Sequence, residues 1–533
     1  MSLFFRPSAD SGLAEVDPDL PEHCTVVIVG TGFGGLGAGL RLARAGRGDF
    51  VLLERADDIG GVWRDNTYPG ARCDVPSRLY SYSFRRPHSW TTTYAPQSEI
   101  LDYLRRCAQD GGVWPHIRFG TELQGADWDA AHSMWRLRTN RGAMTANFLV
   151  LATGTLAEPV MPNIAGLDSF PGTVFHSARW NHSHDLVGRR VGVIGSGASA
   201  IQFIPQVQAA AAELVSFQRS PAWVVRQIKP RRVGPISRGL NRIPGWDRAM
   251  RALLHLTCET MWWKYNVHPK RSAAATEHAR RHLKGSITDP GLQAQLTPDY
   301  RLGCKRLLIS STYYPALDAA NARVVTTDIA AVEPAGVRTA DGALHEVDTL
   351  ILGTGFRATD HPVFSLVRGR DGRSLAQTWA TEGHRAHLGT TVSGFPNLFV
   401  VQGPNAGSPH VSAVYMIEAQ LNLIISGLTM FARKGIREFD VRPEVEAAWQ
   451  QRLAASNENS VWISGCSSYY LDAAGRNAVL WPEPGWRFRR ATKRFQPHDY
   501  HLTVGQPYYG DPRYREVENV PVPSAVGSER LAP

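Results

Sequence analysis

Two glycine-rich turns in this chain have the residue types and spacing that hold a phosphate. Gly30-Thr31-Gly32-Phe33-Gly34-Gly35 and Gly195-Ser196-Gly197-Ala198-Ser199-Ala200 share the pattern of a small residue at the first, third and sixth places. The first glycine, Gly30 or Gly195, permits a tight change of direction. The second, Gly32 or Gly197, lets the backbone approach a pyrophosphate, and Gly35 or Ala200 allows a helix to pack closely on a strand. The helix that follows offers unpaired N–H groups and a partial positive charge. One such turn is weak evidence, but two in one chain predict two dinucleotides whose reactive rings meet between domains. The residue 24 positions after each first glycine tells them apart. Glu54 can accept hydrogen bonds from a ribose diol, whereas Arg219 can pair with a 2′-phosphate. The first turn is therefore expected to hold the adenosine half of FAD, and the second, with Ser196 in it, NADPH.

These turns work only if a strand enters and a helix leaves. Residues 25–29 and 50–54 are short apolar runs of the kind buried on both faces of a parallel sheet, with a helical stretch at 36–45 between them. The second copy has strands at 190–194 and 214–217 around a helix at 201–212. Residues 147–154 and 348–355 are apolar strands that both end in Thr-Gly, where a chain would pass from one nucleotide-binding domain to the other. The predicted fold is α/β: two Rossmann-like, glutathione-reductase-like dinucleotide domains with a helical insertion in the NADP domain. An FAD domain is expected from 1–165 and 361–500, an NADP domain from 166–235 and 299–360, the insertion at 236–298, and a C-terminal extension at 501–533 with little to bury at its end.

Composition narrows the function classes. The 533 residues, 43% hydrophobic and 20% charged, exclude a disordered or collagen-like chain. Lys and Arg exceed Asp and Glu by 58 − 48 = 10, but the charges are dispersed, so no nucleic-acid partner is expected. The six cysteines (24, 73, 107, 258, 304 and 466) show no CxxC and no metal-ligand spacing. They are expected to be reduced, unpaired packing residues, with no metal, in a cytoplasmic monomer or weak homo-oligomer. No apolar stretch of about 18 residues is apparent, so no transmembrane segment is expected, and the N-terminus lacks a secretory pattern.

Three further segments resemble the type I Baeyer–Villiger monooxygenases, over about residues 24–500. Gly60-Gly61-Val62-Trp63, continued through Tyr68-Pro69-Gly70 to Asp74, fits the family's longer signature. Residues 170–181 follow its fingerprint through His176 and Trp180, with Asn181 where the family has Pro or Asp. Gly303-Cys304-Lys305-Arg306 looks like its catalytic-arginine segment. The resemblance implies FAD, NADPH and O2, and insertion of one oxygen atom beside the carbonyl of a small-molecule ketone through a C4a-peroxyflavin. Only the deprotonated flavin peroxide attacks a carbonyl, and Arg306 fits its need for a cation that cannot lose its proton. By the same resemblance Asp74 holds Arg306, Lys305 joins Arg219 on the 2′-phosphate, and Gly61 and Trp63 lie at the flavin. His176 and Trp180 attend NADP, with His176 a hinge residue rather than a base. Tyr469 stands where the family usually has Trp in a loop near the nicotinamide. The helix at 411–434, after Gly403-Pro404-Asn405, would point its N-terminus at the flavin.

Two rivals use the same folds. An N- or S-oxygenase would employ the protonated hydroperoxide, and Trp180 argues against it. A disulfide reductase would need a cysteine pair beside the flavin. The Met261-Trp262-Trp263-Lys264-Tyr265 segment, at helical spacing with Met250, Leu253 and Leu254, reads as a pocket wall or core face.

Overall fold

The computed structural model describes residues 19–505, apart from 87–89, 229–230, 235–238, 240–242, 244 and 263–268. The chain starts as a βαβ unit, with β1 (His23–Val29), α1 (Phe33–Arg44) and β2 (Phe50–Leu53). All but the first residue of β1 and the whole of β2 are buried, as a strand covered on both faces requires. The short helix α2 (Val62–Asp65) and α3 (Gln97–Asp110) follow, then β3 (Ile117–Arg118), β4 (Leu123–Asp129), β5 (Met134–Thr139) and β6 (Gly142–Leu151).

The chain then crosses to a second sheet. Its strands β7 (Thr173–His176), β8 (Arg190–Ile194), β9 (Glu213–Phe217), β12 (Ala322–Val325) and β16 (Thr349–Leu352) lie in the order β12-β9-β8-β16-β7 and are all parallel. Helix α4 (Ala200–Ala210) joins β8 to β9. A separate parallel pair, β10 (Val224–Val225) with β11 (Leu308–Ile309), and an antiparallel sheet of β13 (Ile329–Glu333), β14 (Gly336–Thr339) and β15 (Leu344–Glu346) flank it. The chain finally returns to the first sheet with β17 (Val367–Arg368) and β18 (Leu398–Val400). The first sheet's order is β17-β4-β5-β6-β1-β2-β3, with β18 also on β6. Its strands therefore come from both ends of the chain and enclose the second sheet in sequence.

Between β10 and β11 lie helices Trp246–Trp262, Pro269–Lys284 and Pro290–Gln295. The first rests on loops of the first sheet, where Asp247 pairs with Arg78 at 2.5 Å and Arg86 at 2.8 Å. The second rests on the other domain, burying Ala279 and Leu283. Leu253 is exposed rather than lining a core, while Met250 and Leu254 are half-buried. The 263–265 part of the aromatic segment lies outside the described residues, as do the side chains of Met261 and Trp262.

Two expectations change here. Helix Ala413–Lys434, capped by Ser412, is long and apolar enough by length and composition to cross a membrane, although the sequence showed no such stretch. It is a core helix instead. Its apolar window is 72% buried, and it packs so closely on α1 that a Cβ on Gly37 would lie 2.8 Å from Leu421. The C-terminal extension also begins later than 501, because Tyr500–Val504 pairs antiparallel with Ile436–Val441. The remaining residues, 506–533, lie outside the described ones.

Candidate active site

Each glycine-rich turn is pressed against the Thr-Gly end of a neighbouring strand. Gly30 has φ of +101°, and a Cβ there would lie 2.7 Å from the Ala152 carbonyl oxygen. Gly195 has φ of +116°, and its Cβ would lie 2.3 Å from the Gly353 carbonyl oxygen. Only glycine fits either place. Ala200 opens α4 fully buried, so the small sixth residue does serve helix packing.

No side chain caps α1 or α4, and neither helix has an acid in its first turn. Gly32 faces Gly61, at φ +54°, whose Cβ would come within 3.3 Å of the Gly32 Cα. Around Gly197 nothing lies within 4 Å of where a Cβ would stand. Bare N–H groups beside side-chain-free backbone are what a pyrophosphate needs, so both turns fit a dinucleotide. Ser196 turns its hydroxyl to the Ser220 carbonyl at 3.1 Å, which steadies the second turn.

The strand ends differ from each other more than the sequence indicated. Glu54 is buried and accepts four hydrogen bonds: from the Thr31 N–H and hydroxyl, the Ala56 N–H and the Arg64 guanidinium. A carboxylate has about four lone-pair directions, so a ribose diol reaches Glu54 only by displacing one of these donors. Arg219 is exposed, and among the described residues it has no ion-pair partner. It lies close enough to Lys305 for its charge, after burial, to lower that ammonium's affinity for a proton, with Asp299 opposing. Lys305 also sits 4.7 Å from the centre of the Tyr300 ring. Two cations that repel each other make a site that an anion relieves.

Arg306 is brought to Asp74 by a loop that docks on α4. Gln202 takes hydrogen bonds from the Tyr68 hydroxyl at 3.1 Å and the Arg72 N–H at 3.2 Å, and donates to the Arg72 carbonyl at 3.0 Å. Gly70 lies flat against the same turn, where a Cβ would meet the Gln202 carbonyl oxygen at 2.8 Å. Asp74 then receives Arg306 Nη2 at 2.6 Å, both side chains being partly exposed (36% and 27%). The Asp74 carboxylate raises the Arg306 guanidinium well above its ordinary range, against the opposing effect of desolvation. Arg306 is thus a permanent cation oriented by the Asp74 carboxylate. Tyr469 and Tyr470 both reach it electrostatically, but Tyr470 is the buried one and Tyr469 is 43% exposed.

Other predicted residues lie on neighbouring elements. His176 ends β7 and caps the short helix Ser177–Arg179, its Nδ1 accepting from the Ala178 N–H at 3.1 Å. Burial lowers its pKa to about 4, with the Gly355 backbone opposing, so it is neutral. Trp180 packs edge-on against Phe175 at 5.1 Å and tilts against Phe203 at 5.4 Å, on the α4 side, which makes it a packing residue of the second domain. Trp63 is partly buried and donates to the Tyr80 hydroxyl at 3.1 Å. Asn405, at φ +56°, ties its segment to the Asn477 and Leu480 carbonyls.

The cysteine expectation was wrong for one pair. Cys304 and Cys466, 162 residues apart, form a disulfide, while Cys24, Cys73, Cys107 and Cys258 are free. Spacing in sequence carried no sign of it, because the bond forms between two irregular loops that the fold brings together. It also removes cysteine usage as an argument for a reducing compartment. No cluster of three or more metal-ligating side chains occurs among the described residues.

Residues 27–241 match the family described as pyridine nucleotide-disulphide oxidoreductase. A Baeyer–Villiger monooxygenase of Streptomyces coelicolor is 45% identical over 90% of this chain and 93% of its own length. The chain belongs to the Baeyer–Villiger monooxygenases. Cyclohexanone monooxygenase from Rhodococcus sp. Phi1, bound to NADP+, superposes with a TM-score of 0.82 at 27% identity, covering 91% of this chain and all of that one. OTEMO in complex with FAD and NADP gives 0.82 at 25%, over 90% and 99%. Baeyer–Villiger monooxygenases insert one atom of O2 next to a ketone carbonyl, and this assignment prevails over N- or S-oxygenation. The broader oxidoreductase match spans Cys73 and Cys107, both free thiols, and so reflects the nucleotide fold rather than a reductase's cysteine pair.

Proposed function

We propose that this Baeyer–Villiger monooxygenase holds FAD on Gly30, Gly32, Gly35 and Gly61, with Glu54 and Trp63 beside it. NADPH is read onto Gly195, Ser196, Gly197 and Ala200, with Arg219 and Lys305 on its 2′-phosphate. Reduced FAD supplies activated dioxygen, and NADPH supplies the hydride. The observation that carries the reading is the Arg306–Asp74 pair at 2.6 Å, next to the loop that docks one nucleotide domain on the other. Arg306 offers a charge that does not titrate and directed donors where negative charge develops on oxygen. Asp74 orients it, and His176 and Tyr469 line the NADPH side. Trp180 acts there through packing. The substrate is a small-molecule ketone and the product an ester or lactone. The protein is read as a cytoplasmic monomer or weak homo-oligomer, where NADPH is supplied.

The test is a purified preparation assayed over linear, cyclic, aromatic and terpenoid ketones. A yellow protein whose NADPH consumption rises with ketone, with ester formed in step, supports the reading. Oxygenated amines or sulfides with no ester from any ketone would overturn it.

A further inference from the structure

The disulfide joins two segments that little else joins. Cys304 stands one residue before Lys305 and two before Arg306, and Cys466 three before Tyr469. The bond therefore ties the segment carrying both cations to the one carrying both tyrosines. Residues 301–307 form no helix or strand, and neither do 464–470. Their backbone hydrogen bonds lie within each side, such as Cys304 N–H to the Arg301 carbonyl, Leu471 N–H to the Ser468 carbonyl and Ala478 N–H to the Tyr470 carbonyl. Among the described residues no backbone hydrogen bond connects them. Side chains also meet across them, in a small apolar cluster of Cys304, Val461, Trp462, Cys466, Tyr470 and Leu480 and in the electrostatic reach of Tyr469 and Tyr470 to Arg306. Without the bond, Arg306 keeps Asp74 on one side, but the Cys304–Lys305 segment and the tyrosine loop lose their covalent tie.

We propose that Cys304 and Cys466 form a redox-cleavable clamp that positions Lys305 and Arg306 against the 464–470 loop, and that opening it diverts turnover from ester to hydrogen peroxide. The oxidant is a peroxide, which any uncoupled turnover would release beside these residues. The Cys466 thiolate attacks one peroxide oxygen, giving a sulfenic acid and one water after proton uptake. The Cys304 thiol then displaces the hydroxyl from that sulfur, giving the disulfide and a second water. Two thiols and one hydrogen peroxide thus become one disulfide and two waters. A dithiol reverses the change by attacking the Cys466 sulfur and leaving as a cyclic disulfide. Cys466 is the reachable partner, 9% exposed against 0% for Cys304. None of the other thiols forms a disulfide, Cys24, Cys73 and Cys107 being buried and Cys258 half-buried.

The existence of the clamp does not depend on the proposed roles of Arg306 and Lys305, while its effect on turnover rests on them. Holoenzyme purified without reductant and treated with hydrogen peroxide is denatured and alkylated. Four of the six cysteines should react at once, and Cys304 and Cys466 only after reduction, in one cross-linked peptide pair. Reducing the native enzyme with a dithiol should then lower ester formed per NADPH by roughly tenfold to a hundredfold, since a misplacement of about 1 Å costs up to the order of a hundredfold at a reacting centre. NADP+ affinity, measured by calorimetry without turnover, should fall as well, because Lys305 loses its place. A Cys304→Ala/Cys466→Ala double variant should copy the reduced wild type, and Cys258→Ser should behave as the oxidised one. Six reactive thiols after peroxide treatment would overturn the clamp. A formed disulfide whose reduction changes neither NADP+ affinity nor ester yield would overturn its positioning role. Absence of ester from oxidised and reduced enzyme alike would instead refute the proposed function, with thiol count and NADP+ affinity still deciding the clamp.

Discussion

At the first glycine-rich turn the strand ends in Glu54, buried and saturated by four protein donors. At the second it ends in Arg219, exposed and repelling Lys305. The backbone device is the same in both, down to the positive φ of Gly30 and Gly195 and the uncapped helix behind each. At the first site the strand-end acid is thus already paired within the protein, while the uncapped helix still faces a phosphate. The second carries charge that only an anionic partner relieves. A site of the first kind suits a cofactor that stays, and one of the second a cofactor that enters and leaves each cycle.

Substitutions at the glycines should break this symmetry most strongly. A Cβ on Gly35 would lie 1.8 Å from the Gly30 carbonyl oxygen, whereas one on Gly197 meets nothing within 4 Å. Gly35→Ala is expected to cost more than the roughly 1–3 kcal/mol of ordinary overpacking and to yield protein without flavin absorbance. Gly197→Ala should keep its melting temperature and flavin while its NADPH Michaelis constant rises. Equal behaviour of the two variants would mean that the turns do not differ as described.

Arg219→Ala should act next, and on one cofactor only. Losing a charge-assisted contact of roughly 1.5–3 kcal/mol raises the NADPH Michaelis constant about ten- to a hundredfold, with little change for NADH. Equal losses with both would show that Arg219 does not read the 2′-phosphate.

His176 sharpens the comparison at low pH. Its folded pKa of about 4 lies below the ordinary 6.5, so the unfolded chain takes up the proton first. Its contribution is intact above pH 6.5 and is lost as the pH falls from 6.5 toward 4, by at most about 3 kcal/mol. His176→Gln should flatten the loss of melting temperature over that window and leave it unchanged at pH 8. A wild-type acid slope in the variant would assign the titration elsewhere.

Both nucleotide domains were legible because their strands are continuous apolar runs and their turns need glycine at fixed places. The Arg306–Asp74 pair came through motif resemblance, since an arginine in an irregular loop has no periodicity to announce it. What stayed hidden depends on loops meeting in space. The Cys304–Cys466 bond, the docking of Gln202 on Tyr68 and Arg72, and the saturation of Glu54 by Arg64 all rest on distances that spacing does not encode. The packing of Trp180 on Phe175 and Phe203 is of the same kind.

The most direct measurement follows NADPH consumption, hydrogen peroxide release and ester formation side by side in Arg306→Ala. Bound FAD should be retained on the first turn and NADPH binding largely kept by Arg219 and the second. Ester formation should fall by a factor of about a hundred to a thousand, the loss of roughly 3–4 kcal/mol of fixed electrostatic stabilisation, while peroxide accounts for the NADPH consumed. Arg306→Lys should recover little, because a point charge on a flexible stem does not reproduce the fork held by Asp74. An unchanged ester yield per NADPH in Arg306→Ala would contradict the account.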